Sequence, residues 1–131
     1  MPAGQPKPVI YDAGALIAAD RNDRLLWADH RVRLEAGVVP VVPAPVLAQA
    51  SRSPSQVQLR RLLRGCDVVP MTEPDAHDVG GLLAKSGTSD VTDALVALLA
   101  TQRHADTVSS DSTEIRHLLR SAGGTGRVIE V

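Results

Sequence analysis

Residues 89–111 read SDVTDALVALLATQRHADTVSSD. The first part is an apolar helix pattern with two aspartates, Asp90 and Asp93, in its opening turn. A turn follows, then a short β-prone run, Thr107–Ser110, that ends on Asp111. Asp93 and Asp111 stand 18 positions apart. A helix packed antiparallel to the strand that follows it, as in a βαβ crossover, brings both carboxylates to the same edge of a sheet. Acidic side chains have little reason to gather there unless a cation neutralises them.

Each aspartate has a plainer role when taken alone. Asp90-Val-Thr-Asp93 has the form of a helix N-cap followed by a third-position acid, and Asp111-Ser-Thr-Glu114 is a better capping box still. A carboxylate in a first helical turn also gains from the helix dipole. What tips the balance is a further aspartate, Asp12, at the end of a buried-strand pattern, Pro-Val-Ile-Tyr-Asp (8–12). In open α/β sheets ligands bind outside the carboxyl ends of the strands, where strand order reverses. Asp12, Asp93 and Asp111 all fall at that edge if the sheet is parallel, and their hard oxygens suit Mg²⁺ or Mn²⁺.

The remaining pattern supplies such a sheet. A short helix over 13–19 follows Asp12. A longer one, capped by Asn22 or Asp23, runs to Ala36 and stops at Gly37. A second strand begins at Val41, after Pro40. Pro43 and Pro45 lead into a helix through Arg52, and Ser53-Pro54 starts another that Gly65 closes. Residues 67–70 form a third strand, Thr72 caps a helix to Lys85, and Gly87-Thr88 breaks it. After the fourth strand a helix spans 112–121, a glycine-rich loop follows, and Arg127–Val131 is the last strand. Strand and crossover helix alternate throughout, which predicts one domain over residues 1–131, with a parallel sheet of about five short strands sandwiched by helices. Residues 1–7 are expected to be disordered.

Composition narrows the chemistry. The chain of 131 residues has no Phe, one Trp (Trp27) and one Tyr (Tyr11), so its core must be Leu, Val, Ala and Ile, and it lacks the aromatic platform on which bases usually stack. The net charge of −1 argues neither for nor against nucleic acid, while arginine outnumbers lysine twelve to two. Cys66, the one cysteine, reads as a buried or half-buried thiol in a reducing compartment. With no membrane-length apolar run and no signal-peptide pattern, a cytoplasmic location is expected. No phosphate loop of standard spacing occurs, the histidines show no paired metal spacing, and no serine sits in a G-x-S-x-G elbow. A phosphoryl-receiving or phosphatase domain with Asp12 as nucleophile lacks a second Asp two positions on and a clear Lys partner.

Four blocks in order, VIYDAGALIAA (9–19), PAPVLAQASR (43–52), SDVTDALVALLA (89–100) and TVSSDSTEIRHLL (107–119), resemble the acidic blocks of PIN domains, and among these the VapC-type toxins of bacterial toxin–antitoxin pairs. The resemblance spans about residues 8–131. It implies a PIN-like three-layer α/β/α fold and a Mg²⁺- or Mn²⁺-dependent endoribonuclease. It further implies a homodimer neutralised by a cognate antitoxin. By position, Asp12, Asp93 and Asp111 match the family's catalytic metal-binding acids, with Asp90 an accompanying residue and Ser110 or Thr113 able to orient a carboxylate or water. The second block usually carries Glu where this chain has Gln49, which can ligate through its carbonyl oxygen but adds no charge. The alternative is therefore a PIN-fold protein that binds RNA or antitoxin with weakened or lost nuclease activity. Arg21, Arg52 and Arg116, near the acidic blocks in sequence, are the candidate RNA-backbone contacts.

Overall fold

The computed structural model describes residues 6–131. Five strands, β1 (Val9–Tyr11), β2 (Val41–Pro43), β3 (Asp67–Val69), β4 (Asp106–Ser109) and β5 (Val128–Glu130), form one sheet in the order β3-β2-β1-β4-β5, with every pairing parallel. Among the described residues seven helices connect them: α1 (Ala13–Asp20), α2 (Arg24–Glu35), α3 (Ala44–Ala50), α4 (Val57–Leu63), α5 (Glu73–Ser86), α6 (Val91–Arg103) and α7 (Ser112–Ala122). Helix α1 packs on α2, α3 and α4, whereas α5, α6 and α7 pack on one another, so two helical layers enclose the sheet. The chain moves outward from β1 to β3 and then returns across the sheet to β4 and β5, and the right-handed crossovers usual between parallel strands put those two runs of helices on opposite faces. The expected three-layer α/β/α architecture is thus the one found.

The core is aliphatic, as the composition requires. Helix α6 is enclosed most completely: Ala94, Leu95, Val96 and Ala97 have no exposed surface, because α6 is covered by α5 and α7 while touching β1 and β4. Tyr11 is the one fully buried aromatic side chain. Its hydroxyl meets His30 Nδ1 at 2.8 Å and accepts from Arg33 at 3.1 Å. Burial pushes the Tyr11 phenol up to about 12, against the lowering pull of Arg33, so it stays protonated. Cys66 is half-buried, its thiol donating to the Leu62 carbonyl at 3.3 Å, and burial pushes it up to about 12. No helix is long and apolar enough to cross a membrane among the described residues.

Several helix ends follow the sequence signals. Asp23 caps α2 through Leu26 N–H, Thr72 and Asp75 form a reciprocal capping box on α5, and Gly87 ends α5 in the left-handed region. Two elements differ from expectation. Helix α3 stops at Ala50, which leaves Arg52 in a loop. Helix α4 begins at Val57 rather than at Ser53-Pro54, because the Gln56 side chain takes the backbone N–H groups of Arg52 and Ser53 and turns 51–56 into a tight loop. Residues 1–5 of the stretch expected to be disordered lie outside the described residues. Lys7, also in that stretch, ion-pairs with Asp106 at 2.9 Å.

Candidate functional site

Strand order reverses between β1 and β4, and the candidate residues meet at their carboxyl ends. The register pairs Tyr11 with Val108, so the residue just after β1, Asp12, comes level with Ser109. Asp12 caps α1 and is 4% exposed. Its Oδ1 accepts from Ala13 N–H at 2.8 Å, and its Oδ2 accepts from Ser109 Oγ at 2.7 Å. The Ser109 oxygen in turn accepts Asp111 N–H at 2.9 Å. A single buried hydroxyl therefore ties the strand-end carboxylate to the backbone that presents Asp111.

Asp90 is an N-cap, accepting Asp93 N–H at 2.9 Å. The reciprocal half of the box does not form, and the buried Asp93 carboxylate, 7% exposed, faces its neighbouring acids instead. Asp111 occupies the N-cap position of α7, just beyond the end of β4, yet makes no capping hydrogen bond with its side chain. The capping box that its sequence suggests is absent, and Asp111 lies exposed at the rim. Asp12, Asp90, Asp93, Asp111, Gln49 and Arg52 line one open cavity of about 390 Å³, together with Gly14, Ile17 and Ser110. Gln49 is exposed on its wall. Arg21 lines an adjoining cavity that shares Gly14, Ile17 and Ser110. Arg116 lies elsewhere, on the outer side of α7, paired with Glu130 at 3.5 Å. Thr113 is exposed on α7 and does not line the cavity.

Electrostatics separate these acids from a structural one. Asp106, at the opposite edge of the sheet, is just as buried. Burial there works to raise its pKa, but Lys7 and the Arg127 backbone and guanidinium outweigh it and hold the carboxyl below its ordinary value. Asp12, Asp90, Asp93 and Asp111 have no such partner: among the described residues none of them makes an ion pair. Burial raises Asp12, the Ser109 and Ala13 bonds partly offsetting it and the charges of Asp111 and Asp90 adding to it. Asp93 is pushed up to about 8, by burial first, then by hydrogen bonding toward Asp111, then by the charges of Asp12, Asp90 and Asp111. Like charges in one poorly hydrated place suppress each other's ionisation.

The donor chemistry fits a hard divalent cation: carboxylates, one amide oxygen and one hydroxyl, with no sulfur or imidazole. As the side chains lie, no three acids, histidines or cysteines among the described residues stand close enough to grip one ion. Asp111 is exposed and free of any cap. A phosphoryl-receiving site would need a lysine here, and none lines the cavity.

A larger cleft of about 500 Å³ lies between α2 and α4. It holds Trp27, whose Nε1 donates to the Ala19 carbonyl and whose ring stands edge-on to His30. The Arg61 guanidinium covers Trp27 at 4.3 Å. The one indole is thus already occupied on a face, and the cleft is lined by no acid, unlike the smaller cavity. Ser109 is the residue that sequence reading passes over in favour of Ser110 and Thr113. Its signal is a polar residue at the end of a strand whose other members are buried, two positions before the acid.

No protein-family model matches the chain, and no curated protein matches it by sequence. Among solved structures, a chain of the crystal structure of VapBC2 from Rickettsia felis, bound to a DNA fragment from their promoter, superposes with a TM-score of 0.70. The match covers 95% of this chain and 98% of that one at 14% identity. At that identity the likeness is one of fold, and it is the fold that the four acidic blocks imply.

Proposed function

We propose that this protein is a divalent-metal-dependent endoribonuclease and the toxin of a toxin–antitoxin pair. The observation that carries the reading is the unpaired cluster. Among the described residues the chain supplies two cations to one buried structural carboxylate, Asp106, and none to the acids at the switch point. Asp12, Asp93 and Asp111 would hold Mg²⁺ or Mn²⁺, with Gln49 contributing an amide oxygen. Such an ion, when bound, lowers the pKa of a coordinated water and offsets charge on a phosphodiester under attack. The chain's own residues do the rest. Ser109 fixes the Asp12 carboxylate, Asp90 caps α6 and keeps Asp93 at its first turn, and Arg52 on the cavity and Arg21 beside it contact RNA phosphates. A cognate antitoxin, a homodimer and a cytoplasmic site of action belong to the same reading, supported by the four acidic blocks and by the neighbour's own complex. Cleavage of RNA in Mg²⁺ or Mn²⁺ that EDTA stops is the expected result. If neither the wild type nor Gln49→Glu cuts any of a panel of structured and single-stranded RNAs, the nuclease reading fails.

Gln49 favours a second reading, an RNA- or antitoxin-binding protein that no longer cuts. Gln49→Glu separates the two. With an active wild type, the added carboxylate should tighten Mn²⁺ binding by about tenfold, since oxygen sites are tuned by ligand charge, as measured by calorimetry. An inert wild type whose Gln49→Glu form cleaves RNA would instead establish the binding protein.

A further inference from the structure

Arg52 is the one cation lining the acidic cavity among the described residues, and it does not touch the acids. That separation needs an explanation, because a flexible guanidinium beside four carboxylates should fold onto them. It would then neutralise the place a metal would take. The restraint is local. Arg52 Nη1 donates to the Ala48 carbonyl at 2.9 Å and to the Ser51 carbonyl at 3.0 Å, at the exposed end of α3. Its Nε and Nη2 groups make no hydrogen bond within the described residues and remain available to an anion.

The loop that presents Arg52 is built around one amide. Gln56 Oε1 accepts Arg52 N–H at 2.6 Å and Ser53 N–H at 2.9 Å. Its Nε2 donates to the Ala50 carbonyl at 3.0 Å and to Asp20 Oδ2 at 3.1 Å. Each end of the amide thus makes two hydrogen bonds, with both sides of the loop and with the last residue of α1, the helix that Asp12 caps. Only a primary amide has both the acceptor and the two donors for this arrangement. A carboxylate would lose both donors and face Asp20; an aliphatic side chain would release all four partners.

We propose that Gln56 is a positioning residue that holds Arg52 off the acids and aims its free N–H groups at a phosphate of the substrate strand. The proposal rests on the nuclease reading of the site and adds to it the device that keeps the site's own cation from quenching its acids. The geometry sets the expected phenotype. Loss of Gln56 should weaken the hold on the nucleic-acid backbone and let Arg52 fold onto the acids, so KM and the Mn²⁺ concentration needed for half-maximal cleavage both rise, while kcat at saturating Mn²⁺ changes little.

The test is binding and kinetics on Gln56→Ala, Arg52→Ala, the double variant and Gln56→Glu, each checked for native circular dichroism. In EDTA, anisotropy with a fluorescent single-stranded oligonucleotide should show about tenfold weaker binding for Gln56→Ala and for Arg52→Ala. The double variant should be no weaker than Arg52→Ala alone, because both changes remove the same contact. The salt dependence of binding should become shallower in each single variant by the share of about one phosphate contact. In saturating Mn²⁺, KM for cleavage should rise about tenfold with kcat within about twofold, and Gln56→Glu should not rescue. Wild-type affinity in Gln56→Ala, a loss that adds fully to that of Arg52→Ala, or a fall confined to kcat would each overturn the proposal. Failure of the nuclease reading is told apart by the wild type itself, which would then show no metal-dependent cleavage in the same assay.

Discussion

Asp93→Asn is expected to reduce metal-dependent RNA cleavage by at least ~10²-fold, the scale of several kcal/mol of lost transition-state stabilisation, and to make the metal-free protein more stable. The two effects share one cause. The Asp93 carboxyl is pushed up to about 8 by burial, by Asp111 and by the charges of Asp12 and Asp90. Its folded-state pKa lies above its unfolded value, so its contribution to stability is fully present below the unfolded pKa near 4. That contribution is lost as pH rises through about 8. Asparagine has the same shape and no charge to lose. In EDTA the melting temperatures of the two proteins should therefore converge near pH 4 and separate toward pH 9, with the variant higher by a few degrees, roughly what ~1 kcal/mol produces in a domain of this size. A first-turn carboxylate also gains about 0.3–1 kcal/mol from the helix dipole. The upward direction of the shift means that repulsion and burial outweigh that gain. Millimolar Mn²⁺ should reverse the order, because the wild type gains stability by binding the ion and the variant does not. Binding should also release a proton near neutral pH, since the ligand must ionise first. Melting curves across pH with and without Mn²⁺ read all of this. A wild type that outlasts Asp93→Asn in EDTA at pH 9 would sink the account of the site.

The frame of this fold is legible in the chain because its strands are short apolar runs at regular intervals, and its helices begin at Asp23, Thr72 and Asp90, whose side chains do cap. Parallel order follows from helices too long to be hairpin turns. The site is legible only in part, for reasons of the same physics. Asp90 and Asp111 carry the same capping signature, but the Asp111 side chain leaves its turn uncapped, and Ser109 Oγ takes the Asp111 N–H that a Glu114 side chain would accept in a full box. Nothing local to Asp-Ser-Thr-Glu states that. The Gln56 amide is hidden for a related reason. Ser-Pro is a common helix start, whereas here the Gln56 side chain gathers the Arg52 and Ser53 N–H groups and the Ala50 carbonyl into a loop. Arg116 is near Asp111 in sequence, yet the turn of α7 carries it to Glu130 on the sheet's edge strand. Proximity along a helix is proximity in space only at the right angular phase.

Gly14→Ala is expected to destabilise the protein by about 1–3 kcal/mol, the usual cost of forcing an extra methyl group into packed structure, and to lower cleavage by about 10²-fold through misplacement of the acids. Helix propensity alone predicts the opposite sign. Gly14 sits in the first turn of α1 with ordinary helical backbone, where alanine normally gains about 0.5–1 kcal/mol over glycine. The space decides against it. A Cβ at Gly14 would collide with the Ser110 hydroxyl and lie 2.6 Å from the Ser110 backbone nitrogen and 2.7 Å from its Cβ. A side chain can swing aside; a backbone nitrogen held between Ser109 and Asp111 cannot. Relief requires α1 and the β4–α7 turn to part. The Asp12–Ser109–Asp111 chain, at 2.7 Å and 2.9 Å, crosses that same junction. The methyl group therefore separates the strand-end carboxylate from the rim carboxylate while each residue stays present. Gly80 supplies the control: it lies in α5 where an added Cβ meets nothing within 4 Å, so Gly80→Ala should stabilise by about 0.5–1 kcal/mol and leave cleavage unchanged. Urea denaturation of the two variants beside wild type gives the signs, and cleavage measured well below either melting temperature gives the activities. Equal stabilisation of both variants would show that α1 and Ser110 are not in the close contact on which the geometry of the acids depends.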